Sequence, residues 1–220
     1  MKKLKIPANL TALAYSSIKQ YILEGRLDEN ARLTEEFLSN RLGISKSPIR
    51  EALNRLEAEG LIRIEARRGA YLPTFTIKEI DELYDLREAL EVHAARTAKV
   101  TPALLAELKQ SIRLLRKHLE SNDKADYIEE DVRFHTALVN AAGNDLLSKE
   151  FENIQNRIWL CRRNTYDLSS SSAPDHHEAI VGGLQGDRAV AQRAMREHIG
   201  HVRQKLMEFL SSRERATLAG

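Results

Sequence analysis

The chain has 220 residues, 42% of them hydrophobic and 5% aromatic, with ten glycines and five prolines. This composition excludes a wholly disordered chain and favours helices packed by Leu, Ile and Ala. The single cysteine, Cys161, excludes an intrachain disulfide, and no apolar run approaches a membrane span or signal-peptide core, so a soluble cytoplasmic protein with no membrane partner is expected. The formal net charge of +2 is unevenly placed: residues 1–72 hold 13 Lys and Arg against 9 Asp and Glu, leaving 21 against 23 for the rest. Positive charge therefore gathers in the N-terminal third, as a nucleic-acid footprint requires.

In chain order, Lys2, Lys3 and Lys5 before Pro7 form a basic arm suited to touching phosphates. Leu13, Ile18, Tyr21 and Ile22 predict a first helix from Leu10 to Glu24, closed by Gly25 and packed beneath the next two helices. Thr34 can cap a short helix carrying Phe37, Leu38 and Leu42, and Gly43 supplies its left-handed stop. Ser45 or Ser47 can cap the next helix, where Pro48 costs little because first-turn N–H groups lack intrahelical partners. There Ile49, Ala52, Leu53 and Leu56 fall at i, i+3, i+4, i+7, a core-facing stripe, while Lys46, Arg50 and Asn54 run along the opposite side. The exposed row begins at a positive helix end, where phosphates bind well. Gly60 ends this helix, Leu61 to Glu65 read as a strand, Ala66-Arg67-Arg68-Gly69 as a turn, and Ala70 to Leu72 as a returning strand. Together these spell a helix-turn-helix with a basic β-hairpin wing. Pro73 ends the strand, placing a DNA-binding domain at 1–73 and a linker at 74–76.

The segment LTEEFLSNRLGISKSPIREALNRLEAEGLIRIEARRGAYL resembles the winged helix of the GntR superfamily of bacterial transcriptional regulators, most specifically from Ser45 to Leu53. The resemblance implies that Ser45, Lys46, Ser47 and Arg50 meet the major groove or its flanking phosphates, and that the wing at Arg67, Arg68 and Gly69 reaches the minor groove. Some members carry a DNA-contacting arginine early in the preceding helix; this chain has Glu36 there, so that contact is expected to be absent.

From Ile77 onward the pattern is helical, with breaks that divide it into six helices near 77–99, 102–120, 123–142, 144–166, 174–184 and 187–212, packed as an antiparallel bundle. Gly182 and Gly183 weaken the fifth helix, and Ser169 to Ser172 read as a loop. The fold class is mainly α: an N-terminal winged helix-turn-helix with a small β-hairpin, followed by an all-α bundle at 77–220.

Polar side chains interrupt the apolar faces of this bundle. Asp131 and His135 stand one turn apart on a row with Ile128, Phe134 and Leu138; His177 shares a face with Ile180, Val181 and Leu184; His198 shares one with Ala191, Met195 and Val202. One carboxylate and three imidazoles suit a divalent transition metal such as Zn, Ni, Mn or Fe, and leave positions open for water or a ligand carboxylate. The competing reading is an Asp131 to His135 hydrogen bond with ordinary core histidines. His93, His118, His176 and His201 lie off these rows. Arg87 sits on the inward row of the first bundle helix, and a guanidinium cannot shed its charge, so its burial requires an anion: Glu91 one turn on, or a small carboxylate gripped between Arg87 and the metal.

The stretches DVRFHTALVNAAGN, HEAIVGGLQGD and AMREHI resemble the helical effector domain of the FadR subfamily, in its six-helix, VanR-like branch. The resemblance implies metal ligation by Asp131, His135, His177 and His198, and effector contacts from Arg87 and Asn144. One residue fewer separates His177 from His198 than in the family pattern, which brings His176 into competition with His177; the helix face favours His177. The expected function is a ligand-responsive DNA-binding regulator, a repressor, acting as a homodimer on palindromic double-stranded DNA and answering to a small carboxylate metabolite. A metal-sensing regulator is the alternative. A metalloenzyme is a third reading, but no additional inward carboxylate and no His-Glu-x-x-His motif is present, so no enzymatic activity is expected.

Overall fold

The computed structural model describes residues 10–27, 31–66 and 68–219, so the arm at Lys2, Lys3 and Lys5 and the wing residue Arg67 lie outside the described residues. The chain divides into two compact units, Met1–Thr74 and Phe75–Gly220.

In the first unit, α1 (Leu10–Leu23), α2 (Glu35–Leu42) and α3 (Lys46–Ala58) precede an antiparallel pair, β1 (Arg63–Glu65) and β2 (Gly69–Tyr71). α1 buries Ala14, Ile18 and Ile22, not the wider stripe expected, and Leu13 is exposed. The helix meets α3 along a narrow i, i+4, i+8 seam with the small Ala14 at one end. Tyr15 supports that seam: its hydroxyl donates to Glu59 Oε2 at 2.5 Å and its ring lies 3.9 Å from the Arg55 guanidinium carbon.

Local chemistry sets the helix-turn-helix. Thr34 Oγ1 accepts from Phe37 N–H at 3.1 Å to open α2, and Gly43 closes it at φ +67°. Ser45 takes the N-cap position of α3, with extended backbone angles and no side-chain capping bond. At the far end Gly60 N–H bonds Glu57 O and Leu61 N–H bonds Leu56 O, a paired closure that satisfies the last carbonyls. That closure explains why the β-ladder begins at Arg63, two residues later than the apolar run suggested: the Leu61 amide belongs to the helix end. Arg63 pairs with Tyr71 and Glu65 with Gly69. A further bridge joins Leu33 to Ala70 through reciprocal 2.8 Å bonds, tying the segment before α2 to the wing.

The second unit comprises α4 (Ile77–Thr97), α5 (Pro102–Glu120), α6 (Lys124–Asn140), α7 (Asp145–Ser169), α8 (Ala173–Gln185) and α9 (Arg188–Ala219). Short turns connect them, and side-chain caps open four: Thr76 forms a reciprocal capping box with Glu79, and Thr101, Asp123 and Asn144 each accept from first-turn amides. The core runs through Tyr84, Phe134, Leu138, Ile180, Met195 and Val202. α7 extends to Ser169, so only Ser170–Ser172 remains as a turn. α8 is continuous through its two glycines, because Gly183 is a packing requirement: a Cβ there would lie 2.3 Å from Ala191 N of α9. Gly182 faces open space. No described helix is long and apolar enough to cross a membrane.

Candidate functional site

Two sites emerge, one in each unit. On the first, α3 buries Ile49, Ala52, Leu53 and Leu56 and exposes Ser45, Lys46, Ser47, Arg50 and Asn54, so its N-terminal turn presents amides, two hydroxyls and two cations on one side. Arg50 is held by a two-pronged ion pair across the turn: its Nε and Nη2 each donate to Glu35 at 2.7 Å. Nothing in the sequence pattern marks Glu35, at the start of α2; the resemblance drew attention only to its neighbour Glu36. On the wing Arg68 is exposed and pairs with Glu65 at 2.7 Å. Gly69 has a structural reason to be glycine: its φ is +113° and a Cβ would lie 2.8 Å from Leu33 O.

In the second unit α6, α8 and α9 bring Asp131, His135, His177 and His198 together, one ligand atom from each lying within 4.8 Å of the others. Asp131, His177 and His198 are fully buried and His135 is nearly so. The Asp131 to His135 hydrogen bond of the competing reading is not made; the nearest approach is 3.9 Å. His135 Nδ1 instead bonds Glu91 Oε2 of α4. With Nδ1–H committed to that carboxylate, Nε2 is left as a lone pair facing the cluster, the arrangement by which a carboxylate orients a metal-binding imidazole. His198 Nε2 lies 3.2 Å from His135 Nε2, and His177 Nε2 lies 3.6 Å from Asp131 Oδ1. His177 stacks on Phe134 at 4.0 Å, which fixes its ring plane. Both His177 ring nitrogens and His198 Nδ1 are buried without a hydrogen-bond partner. Such orphaned nitrogens are costly unless something coordinates them, so the donor set fits a transition ion.

The electrostatics agree. Burial, reinforced by the neighbouring rings and guanidiniums, drives His177 and His198 well below the ordinary imidazole range, keeping them neutral as ligands must be. Burial also lowers His135, against the opposing pull of Glu91. Burial alone would raise the Glu91 carboxyl, but Arg87 and His135 hold it down to about 2.

Arg87 is buried, and Glu91, its simplest sequence partner, does pair with it through Nε–H to Oε1 at 2.6 Å. Arg87 Nη2 also reaches His135 Nε2 at 3.2 Å, and Nη1 has no hydrogen-bond partner. Asn144 is not brought to this cluster. It is exposed, and its Oδ1 accepts from the amides of Leu146 and Leu147, an occupation as helix cap that ordinary N-cap preference explains. The residue that sequence reasoning missed is Arg162 of α7, which forms an ion pair with Asp131 and approaches His135 Nε2 at 3.3 Å. No motif marks it, because a charged residue in a charge-rich helix is ordinarily solvated. His176 is half-buried with its ring against His198 and His201, outside the four-residue group. A second acidic group, His118, Asp123 and Asp126, lies at the surface.

A winged helix-turn-helix with a cationic recognition face, followed by a helical unit with a buried polar centre, defines a DNA-binding transcriptional regulator. Residues 10–72 match the bacterial regulatory proteins of the gntR family, and residues 82–201 match the FCD domain. The chain belongs to the GntR family, in the group that carries an FCD domain, and is a regulator rather than an enzyme. It is 30% identical over 219 residues to the HTH-type transcriptional regulator YdhC of Bacillus subtilis (strain 168), covering 94% of this chain and 96% of that one. It is 26% identical over 202 residues to the HTH-type transcriptional repressor RspR of Escherichia coli (strain K12), covering 89% and 88%. The solved structure of E. coli McbR/YncC shares the fold with a TM-score of 0.76 at 23% identity, covering 93% of this chain and 99% of that one.

Proposed function

We propose that this regulator is a repressor whose helical unit binds a divalent transition ion together with a small carboxylate, and that effector capture alters its affinity for DNA. The observation that carries this reading is the buried group Asp131, His135, His177 and His198, each offering one ligand atom, with His177 ring nitrogens that lack a hydrogen-bond partner and one of which a metal would take. Its open coordination positions suit a carboxylate oxygen, and the unpartnered Arg87 Nη1 offers that carboxylate a donor beside His135. Repression is supported by relatives named as repressors: RspR, and the gluconate operon transcriptional repressor of Bacillus subtilis, 25% identical over 208 residues. DNA reading is assigned to Ser45, Lys46, Ser47 and Arg50, with the wing at Arg67, Arg68 and Gly69 against the flanking groove. A two-fold homodimer on a palindromic operator is expected because one recognition helix covers only a few base pairs.

The test is direct. The purified protein is stripped with chelator, reloaded in turn with Zn, Ni and Mn, and assayed for metal by elemental analysis and for operator binding with and without small carboxylates. Stoichiometric metal and a carboxylate-dependent change in operator affinity are expected. A protein that retains no metal after reloading overturns the metal reading.

A further inference from the structure

Arg50 and Glu35 meet across the turn of the helix-turn-helix in a way that uses one edge of the guanidinium and leaves the next. Nε–H and one N–H of Nη2 point to the two carboxylate oxygens of Glu35, at 2.7 Å each. A guanidinium carries its N–H donors in a rigid planar fork, so the Nη1 and Nη2 end keeps a pair of donors directed away from Glu35. The pair is open to solvent, with the Arg50 side chain 62% and the Glu35 side chain 32% exposed.

Stability does not account for this contact. Exposed ion pairs add little to it, and an acidic residue at the start of α2 is favoured by the helix end whether or not it meets a cation. Glu36 answers that preference as well. Glu35 differs in reaching α3, where Arg50, and more weakly Lys46, hold its carboxyl below the ordinary range and keep it ionised.

For a duplex meeting this face the pair has two effects. Matched by a full negative charge, Arg50 brings almost no net charge to the surface, so it attracts phosphates weakly and releases few counterions. Its remaining end is fixed in direction, and two parallel N–H donors match O6 and N7 of guanine. Lys46 has no such edge; its ammonium is a point charge suited to phosphate.

We propose that Glu35 is a specificity-determining residue, which holds Arg50 as a charge-neutral, oriented reader of one guanine and withholds that guanidinium from phosphates. This rests on the assignment of Arg50 to the DNA-reading face and specifies how that side chain discriminates. Affinity for arbitrary sequence is given up, and discrimination is gained.

The parent, Glu35→Gln, Glu35→Asp and Arg50→Ala, each as the full-length protein, are used to select from a randomised duplex library, and the enriched sequences give the base preference at every position. Anisotropy across a salt series, on the duplex selected by the parent and on a scrambled one, gives the affinities. Arg50→Ala is expected to lose the preference for one guanine in each half-site. Glu35→Gln keeps the size of the side chain and should weaken the preference for that same guanine. It should also raise affinity for the scrambled duplex roughly two- to fivefold while raising that for the selected duplex less, and steepen the salt dependence by about one counterion. Glu35→Asp keeps the charge and should stay nearer the parent in all three readouts. A Glu35→Gln protein with the parent's full guanine preference and the parent's ratio of selected to scrambled affinity overturns this inference and leaves the reading of Arg50 standing. Selection of an unchanged sequence by Arg50→Ala overturns both.

Discussion

Glu91 bridges Arg87 and His135: one oxygen accepts from Arg87 Nε at 2.6 Å, and the other is bonded to His135 Nδ1. A single carboxylate thus neutralises a guanidinium and sets which imidazole nitrogen faces the cluster. Glu91→Gln should destabilise the helical unit by about 3–5 kcal/mol, because it leaves a buried guanidinium without its counter-charge. The folded-state carboxyl lies at about 2, below its ordinary value of 4.5. Its stabilisation is therefore complete above about pH 4.5 and is lost as pH falls towards 2. Urea unfolding from pH 7 to pH 2 should show a shallower dependence on pH for Glu91→Gln than for the parent. Parallel curves would remove Glu91 from the account of acid stability.

At the DNA-reading face, Arg50→Ala should cost roughly 1–3 kcal/mol of specific operator binding, the worth of a guanidinium on a guanine edge. Lys46→Ala should weaken binding more evenly across sequences and lower the salt slope by about one counterion. Glu35 holds the Arg50 fork, so under the proposed DNA reading it would compete with DNA for that side chain. Its neutralisation in Glu35→Gln should raise overall DNA affinity roughly two- to fivefold, as expected for release of an exposed pair beside a polyanion. Fluorescence anisotropy at several salt concentrations, on operator and scrambled duplexes, measures all three.

Asp131→Ala, His135→Ala and His198→Ala should each lose bound metal, whereas His176→Ala should retain it. Metal bound only to the native state stabilises it, so reloading should raise the melting temperature of the parent and of His176→Ala but not of the other three. Elemental analysis paired with thermal melts reads both effects, and equal metal content in all variants would return the cluster to ordinary core packing.

The two adjacent glycines of α8 should behave oppositely. Gly182→Ala adds a methyl group to open space in a helix and should stabilise by roughly 0.5–1 kcal/mol. Gly183→Ala drives a Cβ against the Ala191 backbone and should destabilise by about 1–3 kcal/mol. Chemical denaturation of the two single variants separates them.

What the sequence by itself determined is the set of features that local physics decides. The helix cap at Thr34, the left-handed stop at Gly43 and the stripe Ile49, Ala52, Leu53 and Leu56 depend on neighbours within a turn or two, so spacing alone reveals them. The inward row through Asp131 and His135, and the faces of His177 and His198, are legible for the same reason: helical period places each residue relative to its own core stripe. Tertiary structure decided the rest. That Glu91 and not Asp131 orients His135, that Arg162 joins the centre, and that Glu35 clasps Arg50 all depend on side chains from different helices meeting. Gly183 reads as a helix weakness until the approach of α9 is known, and Asn144 reads as available to an effector until its oxygen is placed on the cap of α7. Period and capping fix the direction in which a side chain leaves its own helix; the partner it finds there is set by how the helices pack.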